Sequence, residues 1–238
     1  MKHFSLEEYL VRKGLCKSEA DANSYIVLGF VKVNNNLVLK PDYQVGEDEA
    51  IRLTANFVSR GALKLASVKD KLELDFRDKL IVDVGSSTGG FTDYALQNSA
   101  KRVIAIDLGK NQLHEKLKNN PKIEIHDHTS IFDINNLPDD VAMVLIDVNF
   151  VSLREVLLHI YKLINRQTEI IALLKPQFEI SGGKLKNEGI IKNNRMRRDI
   201  IKDFENWVKQ RFVILDKADS KLAGRHGNLE RFYKLRKA

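Results

Sequence analysis

A single cysteine, Cys16, stands among 238 residues. It excludes an internal disulfide and, with no ligand-spaced partner, a cysteine-based zinc site; Cys16 itself reads as a small helix residue. Long hydrophobic runs are missing too. The longest, Val141 to Ile146, is far too short to cross a bilayer, and the first residues carry charges where a signal peptide would have its apolar core. A soluble, cytoplasmic protein with no membrane partner is expected. The length suffices for one α/β domain and a small companion. The net charge of +7 is uneven: residues 1–55 carry 7 Lys+Arg and 8 Asp+Glu, residues 56–180 carry 16 and 17, and residues 181–238 carry 16 and 7. A basic excess confined to the last quarter suits either a polyanion-facing surface or a solvated helix face.

A dinucleotide fingerprint, Gly-x-Gly-x-x-Gly, is also absent. In its place, after the apolar run Leu80-Ile81-Val82 and before a helix-spaced segment, stands Asp83-Val84-Gly85-Ser86-Ser87-Thr88-Gly89-Gly90-Phe91-Thr92-Asp93. Strand, glycine turn and helix form a nucleotide-binding layout, because glycine lets the backbone turn tightly and approach a ligand. By its residues this stretch fits S-adenosylmethionine, another nucleotide or a plain structural turn. It resembles motif I of S-adenosylmethionine-dependent methyltransferases, especially the FtsJ-like RNA 2′-O-methyltransferases. That likeness places the cofactor on Asp83, Gly85, Ser86, Ser87, Thr88, Gly89, Gly90 and Phe91.

Ahead of the turn, Leu6, Tyr9 and Leu10, then Ala20, Ala22, Tyr25 and Ile26, have helical spacing, with Gly14 ending the first helix and Ser18 placed as N-cap of the second. Phe30 to Val33 and Leu37 to Leu39 alternate as strands around Asn34-Asn35-Asn36, and Val45 to Leu53 is expected as a third strand. These residues, with Leu10-Val11-Arg12-Lys13-Gly14, Ser18, Ile26, Gly29, Val31-Lys32-Val33-Asn34 and Lys40-Pro41, resemble the RNA-binding module of ribosomal small-subunit protein four. Arg12, Lys13, Lys17 and Lys32 are its RNA-binding candidates; docking to protein is the alternative. The copy departs from that pattern at Glu19 and Asn35. A helix is expected to begin within residues 59–65 and to run through Val68 and Leu72. Lys64 would lie near its start, the unfavourable end of the dipole for a cation, so another group should hold it.

Beyond the turn, strands read at Arg102 to Asp107, Ile123 to Asp127, Met143 to Asp147 and Ile170 to Lys175, between helical segments. Such an alternation implies a parallel sheet covered on both faces, with ligands at the carboxyl ends of its strands. Asp83, Asp107, Asp127, Asp147 and Lys175 are expected to terminate strands there. Asp107 suits the ribose hydroxyls of a nucleoside, and the methyltransferase resemblance implies Asp127 as a contact of the adenine. His126-Asp127-His128 supports no metal site, since neighbouring strand residues face opposite ways and no further ligand is evident. If Phe212 to Leu215 and the segment after Glu230 form a hairpin, Glu230 meets the same edge.

Taken together, Ser59-Arg60-Gly61-x-Leu63-Lys64-Leu65, the glycine turn, Asp147-Val148-x-Phe150-x-Ser152-Leu153, Lys175-Pro176-Gln177-Phe178-Glu179 and Gly227-Asn228-x-Glu230 resemble the TlyA family. The resemblance covers nearly the whole chain and departs at Ala62 and across residues 183–189. It implies an α/β fold: a Rossmann-like class I methyltransferase with a mostly parallel seven-stranded sheet, helices on both faces and a small N-terminal α+β RNA-binding domain. Its parts would be residues 1–53, a linker over 54–62 and the catalytic domain over 63–238. It implies methylation of a cytidine ribose 2′-hydroxyl in ribosomal RNA by S-adenosylmethionine, no action on DNA, and a catalytic tetrad of Lys64, Asp147, Lys175 and Glu230. A ribose hydroxyl is a poor nucleophile while a sulfonium methyl is already activated, so the enzyme must align the two and manage one proton. Lys175 would accept it, Lys64 would favour the neutral base and steady oxyanion charge, and the carboxylates would orient both ammoniums. Arg60, Lys184, Lys186, Lys192, Arg195 and Arg198, with Arg197 beside them, would grip phosphates; Phe150 or Phe178 could stack a splayed base. The competing readings are an inactive assembly factor, a membrane-active haemolysin, and a methyltransferase for protein or small molecules.

Overall fold

In the computed structural model, which describes residues 3–180, 189–191, 193–224 and 227–238, the chain begins with β1 (Phe4–Ser5), α1 (Leu6–Arg12) and α2 (Glu19–Val27). Both helices start where a serine side chain can take an orphan N–H: Ser5 Oγ accepts from Glu8 and Ser18 Oγ from Asp21. A hairpin of β2 (Val31–Val33) and β3 (Asn36–Leu37) follows. Asn34 and Asn35 make its turn with φ of 48° and 67°, in the left-handed region that asparagine tolerates.

The expected third strand is two strands. β4 (Gln44–Val45) pairs with β1, whereas β5 (Ile51–Leu53) pairs with β2. The charged stretch Glu47-Asp48-Glu49 breaks the run, because Glu49 turns back to accept the Gly46 N–H at 2.9 Å while Asn34 Oδ1 accepts that of Ala50 at 3.0 Å. Helix α3 (Arg60–Ala66) is also shorter than expected, and Val68 and Leu72 are buried in turns beyond it. Ser67 Oγ donates to the Lys64 carbonyl at 2.6 Å and helps close the helix there. Lys64 therefore lies in the last turn and not near the start.

The remaining strands and helices alternate: β6 (Leu80–Val84), α4 (Gly90–Gln97), β7 (Arg102–Ile106), α5 (Glu115–Lys118), β8 (Ile123–His126), β9 (Val141–Ile146), α6 (Leu153–Leu163), β10 (Glu169–Leu174), α7 (Asn194–Val208), β11 (Phe212–Asp219) and β12 (Arg231–Lys237). They build a seven-stranded sheet in the order β11-β12-β10-β9-β6-β7-β8, parallel except at β12, which runs antiparallel to both neighbours. Alternate residues along each strand divide the core in two. Ile81, Val103, Leu145, Ile171 and Phe232 face α3, α4 and the N-terminal unit; Val82, Ile104, Val144, Ile170 and Tyr233 face α6 and α7. The first of these layers runs unbroken into the N-terminal core. Phe57, on the connecting segment, lies between Tyr25 and Phe30 on one side and Tyr94 on the other, with centroids 5.4 to 6.3 Å apart. Among the described residues no helix is long and apolar enough to cross a membrane.

Candidate active site

Strand register decides which distant residues meet. Leu174, the last residue of β10, pairs with Arg231, the first of β12, so Lys175 and Glu230 sit next to each other in the sheet edge. Ile146 of β9 pairs with both Ala172 and Val84, and the Asp147 N–H donates to the Val84 carbonyl at 3.0 Å, which brings Asp147 against the glycine turn. Lys64 arrives from α3. All four line one cavity of about 760 Å³ together with Arg60, Gly85, Ser86, Ser87, Thr88, Phe150, Phe178 and Asn228.

Within it stand two ammonium–carboxylate pairs. Lys64 Nζ donates to Glu230 Oε2 at 2.6 Å, with side chains only 12% and 3% exposed, so bulk water screens this pair little. Lys64 is thus held by a carboxylate, although its place in the last turn removes the dipole argument for expecting a partner. Lys175 Nζ lies 2.5 Å from Asp147 Oδ1, in ionic contact outside hydrogen-bond alignment, and donates to Asn149 Oδ1 at 2.9 Å. Asn149 is not singled out by the sequence. The signal was its place between Asp147 and Phe150, on a strand-end loop that must supply Lys175 with an acceptor.

The turn is built around glycine at three points. Gly85, at φ 81°, has no room for a Cβ, which would stand 2.5 Å from the Asp147 carbonyl oxygen. Gly89, at φ 88°, is the N-cap of α4. A Cβ on Gly90 would meet Ser59 Oγ at 2.4 Å and the Ala62 nitrogen at 2.9 Å, so α3 and α4 touch through bare backbone. Asp83 lies inside β6, one residue short of its end, and is fully buried. Its Oδ2 accepts from the Thr92 N–H and hydroxyl at 2.9 and 2.6 Å, while Oδ1 has no partner among the described residues, and Asp83 is part of the cavity lining. Burial holds this carboxyl well above the usual range, at about 7; the Thr92 bonds oppose that and the Asp147 charge adds to it.

Other candidates fall into place less uniformly. Phe91 is buried against Phe232, 6.0 Å between centroids, and the Ser86 N–H is already given to the Ile106 carbonyl. Asp107 follows β7 and accepts from the Ser87 and Gly109 N–H groups, both at 2.7 Å. It lines a second cavity, about 660 Å³, which shares Gly85, Ser87, Asp147, Asn149 and Phe150 with the first and is lined further by Gln112, Ser130, Ile131 and Phe132. Asp127 lies outside both linings: its carboxylate is turned onto the Asn111 N–H at 2.8 and 2.9 Å, whereas Ser130, Ile131 and Phe132 line the second cavity. The cue for those residues was the apolar pair Ile131-Phe132 soon after the third strand of the sheet.

Of the basic candidates, Arg12, Lys13 and Lys17 are exposed, with Arg12 4.5 Å over the Phe4 ring and Lys13 5.3 Å over Tyr9. Lys32 is half-buried on β2, and Arg60 is exposed at the cavity mouth. Arg195 and Arg198 are exposed on the first half of α7, whereas Arg197 is bound to Asp219 at 2.9 Å. Lys184, Lys186 and Lys192, like the variant stretch 183–188, lie outside the described residues. Phe150 is 92% exposed with φ 64°, its ring 5.4 Å from Phe178.

Residues 57–237 match the family model of the FtsJ-like methyltransferases. The chain is 35% identical over 183 residues to the 23S rRNA (cytidine-2′-O)-methyltransferase TlyA of Campylobacter jejuni, covering 76% of this chain and 71% of that protein. It is 30% identical over 234 residues to the 16S/23S rRNA (cytidine-2′-O)-methyltransferase TlyA of Mycobacterium tuberculosis, covering 95% and 87%. A solved Streptococcus thermophilus structure bearing the name hemolysin superposes with a TM-score of 0.70 at 29% identity, over 100% of this chain and 90% of that one.

Proposed function

The chain belongs to the TlyA family of FtsJ-like methyltransferases, and from that premise we propose that it methylates a ribose 2′-hydroxyl of ribosomal RNA, at a cytidine, in the cytoplasm. The observation that carries this reading is the pair of ion pairs, Lys64–Glu230 and Lys175–Asp147, in one cavity with the glycine turn. The methyl donor is S-adenosylmethionine, and the residues present suit it. Asp83 Oδ1 is a buried acceptor with no partner among the described residues, Gly85 lines both cavities, and the adjoining cavity is lined by the Asp107 carboxylate and by Ile131 and Phe132. Its volume lies in the range of nucleoside-sized sites. The donor, when bound, supplies a methyl carbon activated by the neighbouring sulfonium charge.

The chain supplies position and proton management. Lys175, in its neutral form, accepts the 2′-hydroxyl proton, and Asp147 and Asn149 fix its Nζ. Lys64, held by Glu230, faces the developing oxyanion. Phe150 and Phe178 offer ring faces to an unstacked base. Arg60, Arg195 and Arg198 provide charge for flanking phosphates, and the module over residues 1–53, joined by a linker over 54–62 to the catalytic domain over 63–238, orients the RNA. Mapping 2′-O-methyl groups on ribosomal RNA from cells with and without the protein tests this. A ribose methyl that appears only with the wild-type gene and not with Lys175→Ala is expected; identical maps would overturn the reading.

A further inference from the structure

Two loops carry the Lys175–Asp147 pair: residues 147–152 between β9 and α6, and residues 175–179 after β10. They are joined at one end by Lys175, which reaches Asp147 and Asn149. At the other end stands Glu179, whose side chain is 1% exposed. Its Oε1 accepts the Leu153 N–H at 2.6 Å and its Oε2 the Ser152 hydroxyl at 2.8 Å, while the Arg154 guanidinium lies 3.4 Å away. Between these two ties lies the Phe150–Phe178 contact. Phe150 holds a backbone conformation that a bulky residue seldom adopts unless its surroundings enforce it.

A carboxylate at the N-terminus of α6 is electrostatically welcome there, but this one does not come from α6 itself. Ser152 is the helix's own N-cap and already accepts the Arg154 N–H at 3.2 Å. Glu179 comes from the other loop, four residues beyond Lys175, with the short turn Pro176–Phe178 between them. Its buried bonds therefore fix one loop on the other.

We propose that Glu179 is a positioning residue for methyl transfer: by clamping the Lys175 loop onto the N-terminus of α6, it holds Lys175 Nζ beside Asp147 and the Phe150 ring at the cavity mouth. This rests on the reading of Lys175 as the base. Displacing a reacting group by about 1 Å can cost on the order of a hundredfold in rate, so a loosened clamp is expected to act on turnover before it acts on binding.

The experiment uses the full chain, tritiated S-adenosylmethionine and ribosomal subunits from cells lacking the protein, with donor affinity by calorimetry and Tm alongside. Glu179→Ala is expected to lower kcat by about tenfold or more with KM for subunits and donor Kd changed less than about threefold. Glu179→Gln, whose amide can accept from Leu153 and donate to Ser152, should recover most of kcat; Ser152→Ala should lose an intermediate amount. If Glu179→Ala fails to fold, the other two variants decide. A role confined to helix capping would lower Tm and leave kcat of the folded enzyme unchanged, which would overturn the proposal, as would a loss of donor affinity in step with rate. Lys175→Ala, run in parallel, separates the two ideas: full activity there refutes the base assignment, whereas an inactive Lys175→Ala beside a fully active Glu179→Ala refutes only the clamp.

Discussion

Lys64 and Glu230 are 166 residues apart in sequence and 2.6 Å apart in space. A buried ion pair that has lost one partner leaves a charge without compensation, at a cost of about 3–5 kcal/mol, so Glu230→Ala should unfold at markedly lower temperature or denaturant than wild type. Removing the cation instead tests chemistry. Lys64→Ala and Lys175→Ala are each expected to abolish methyl transfer to ribosomal subunits while donor affinity, read by calorimetry, stays within about threefold. Near-wild-type turnover in either variant would refute the roles given to them.

Gly85→Ala places a methyl group 2.5 Å from the Asp147 carbonyl oxygen, on a backbone with φ 81°. Strain of about 1–3 kcal/mol and a displaced Asp147 loop are expected. Both Tm and donor affinity should fall, and they should fall together.

Asp83 gives a pH signature whose sign can be worked out. Its carboxyl is held at about 7 by burial, above the ordinary carboxylate value. The folded state therefore retains a proton that the unfolded chain has released. The stability it contributes is fully present below the unfolded pKa near 4 and is lost as pH rises through about 7. Between pH 5.5 and 8.5 the ligand-free wild type should lose Tm relative to Asp83→Asn, at roughly 2–4 °C per kcal/mol for a protein of this size. Parallel curves for the two proteins would show that Asp83 does not titrate there.

Phe150 sets activity against stability. Glycine at φ 64° removes a left-handed penalty of about 1–2 kcal/mol, so Phe150→Gly should be no less stable than wild type by thermal melt. Base stacking of about 1–3 kcal/mol would be lost, and methyl transfer to subunits should drop by roughly five- to hundredfold.

Arg195 and Arg198, both exposed on α7, should act through phosphate charge. The double change to alanine is expected to raise KM for subunits and to reduce the slope of log affinity against log salt by about one to two, with kcat little altered. An unchanged salt slope would remove α7 from the RNA-facing surface.

Much of the site could be read from the chain because strand ends in a parallel sheet converge: Asp107, Asp147 and Lys175 each follow a run of apolar residues, and the hairpin of β11 and β12 returns Glu230 to that edge. The asparagine turn and the Ser18 cap followed from local chemistry alone. What could not be read depends on competition between local partners. Glu49 turning back to Gly46 splits a strand, Ser67 bonding the Lys64 carbonyl helps close α3, and Asp127 bonds the Asn111 N–H outside both cavities. Asn149 and Glu179 escaped for a related reason, since each acts across two loops whose pairing only the register of β9 against β10 determines.

Because β12 is threaded between β10 and β11, the sheet cannot close in the order in which it is synthesised. A nascent polypeptide that has emerged only as far as α7 holds Lys64 and Lys175 but has no carboxylate for the former, and its β10 still has an open edge. Pairing of Lys64 with Glu230 thus waits on the entry of β12 between β10 and β11, so chains cut after α7 should be inert toward ribosomal subunits.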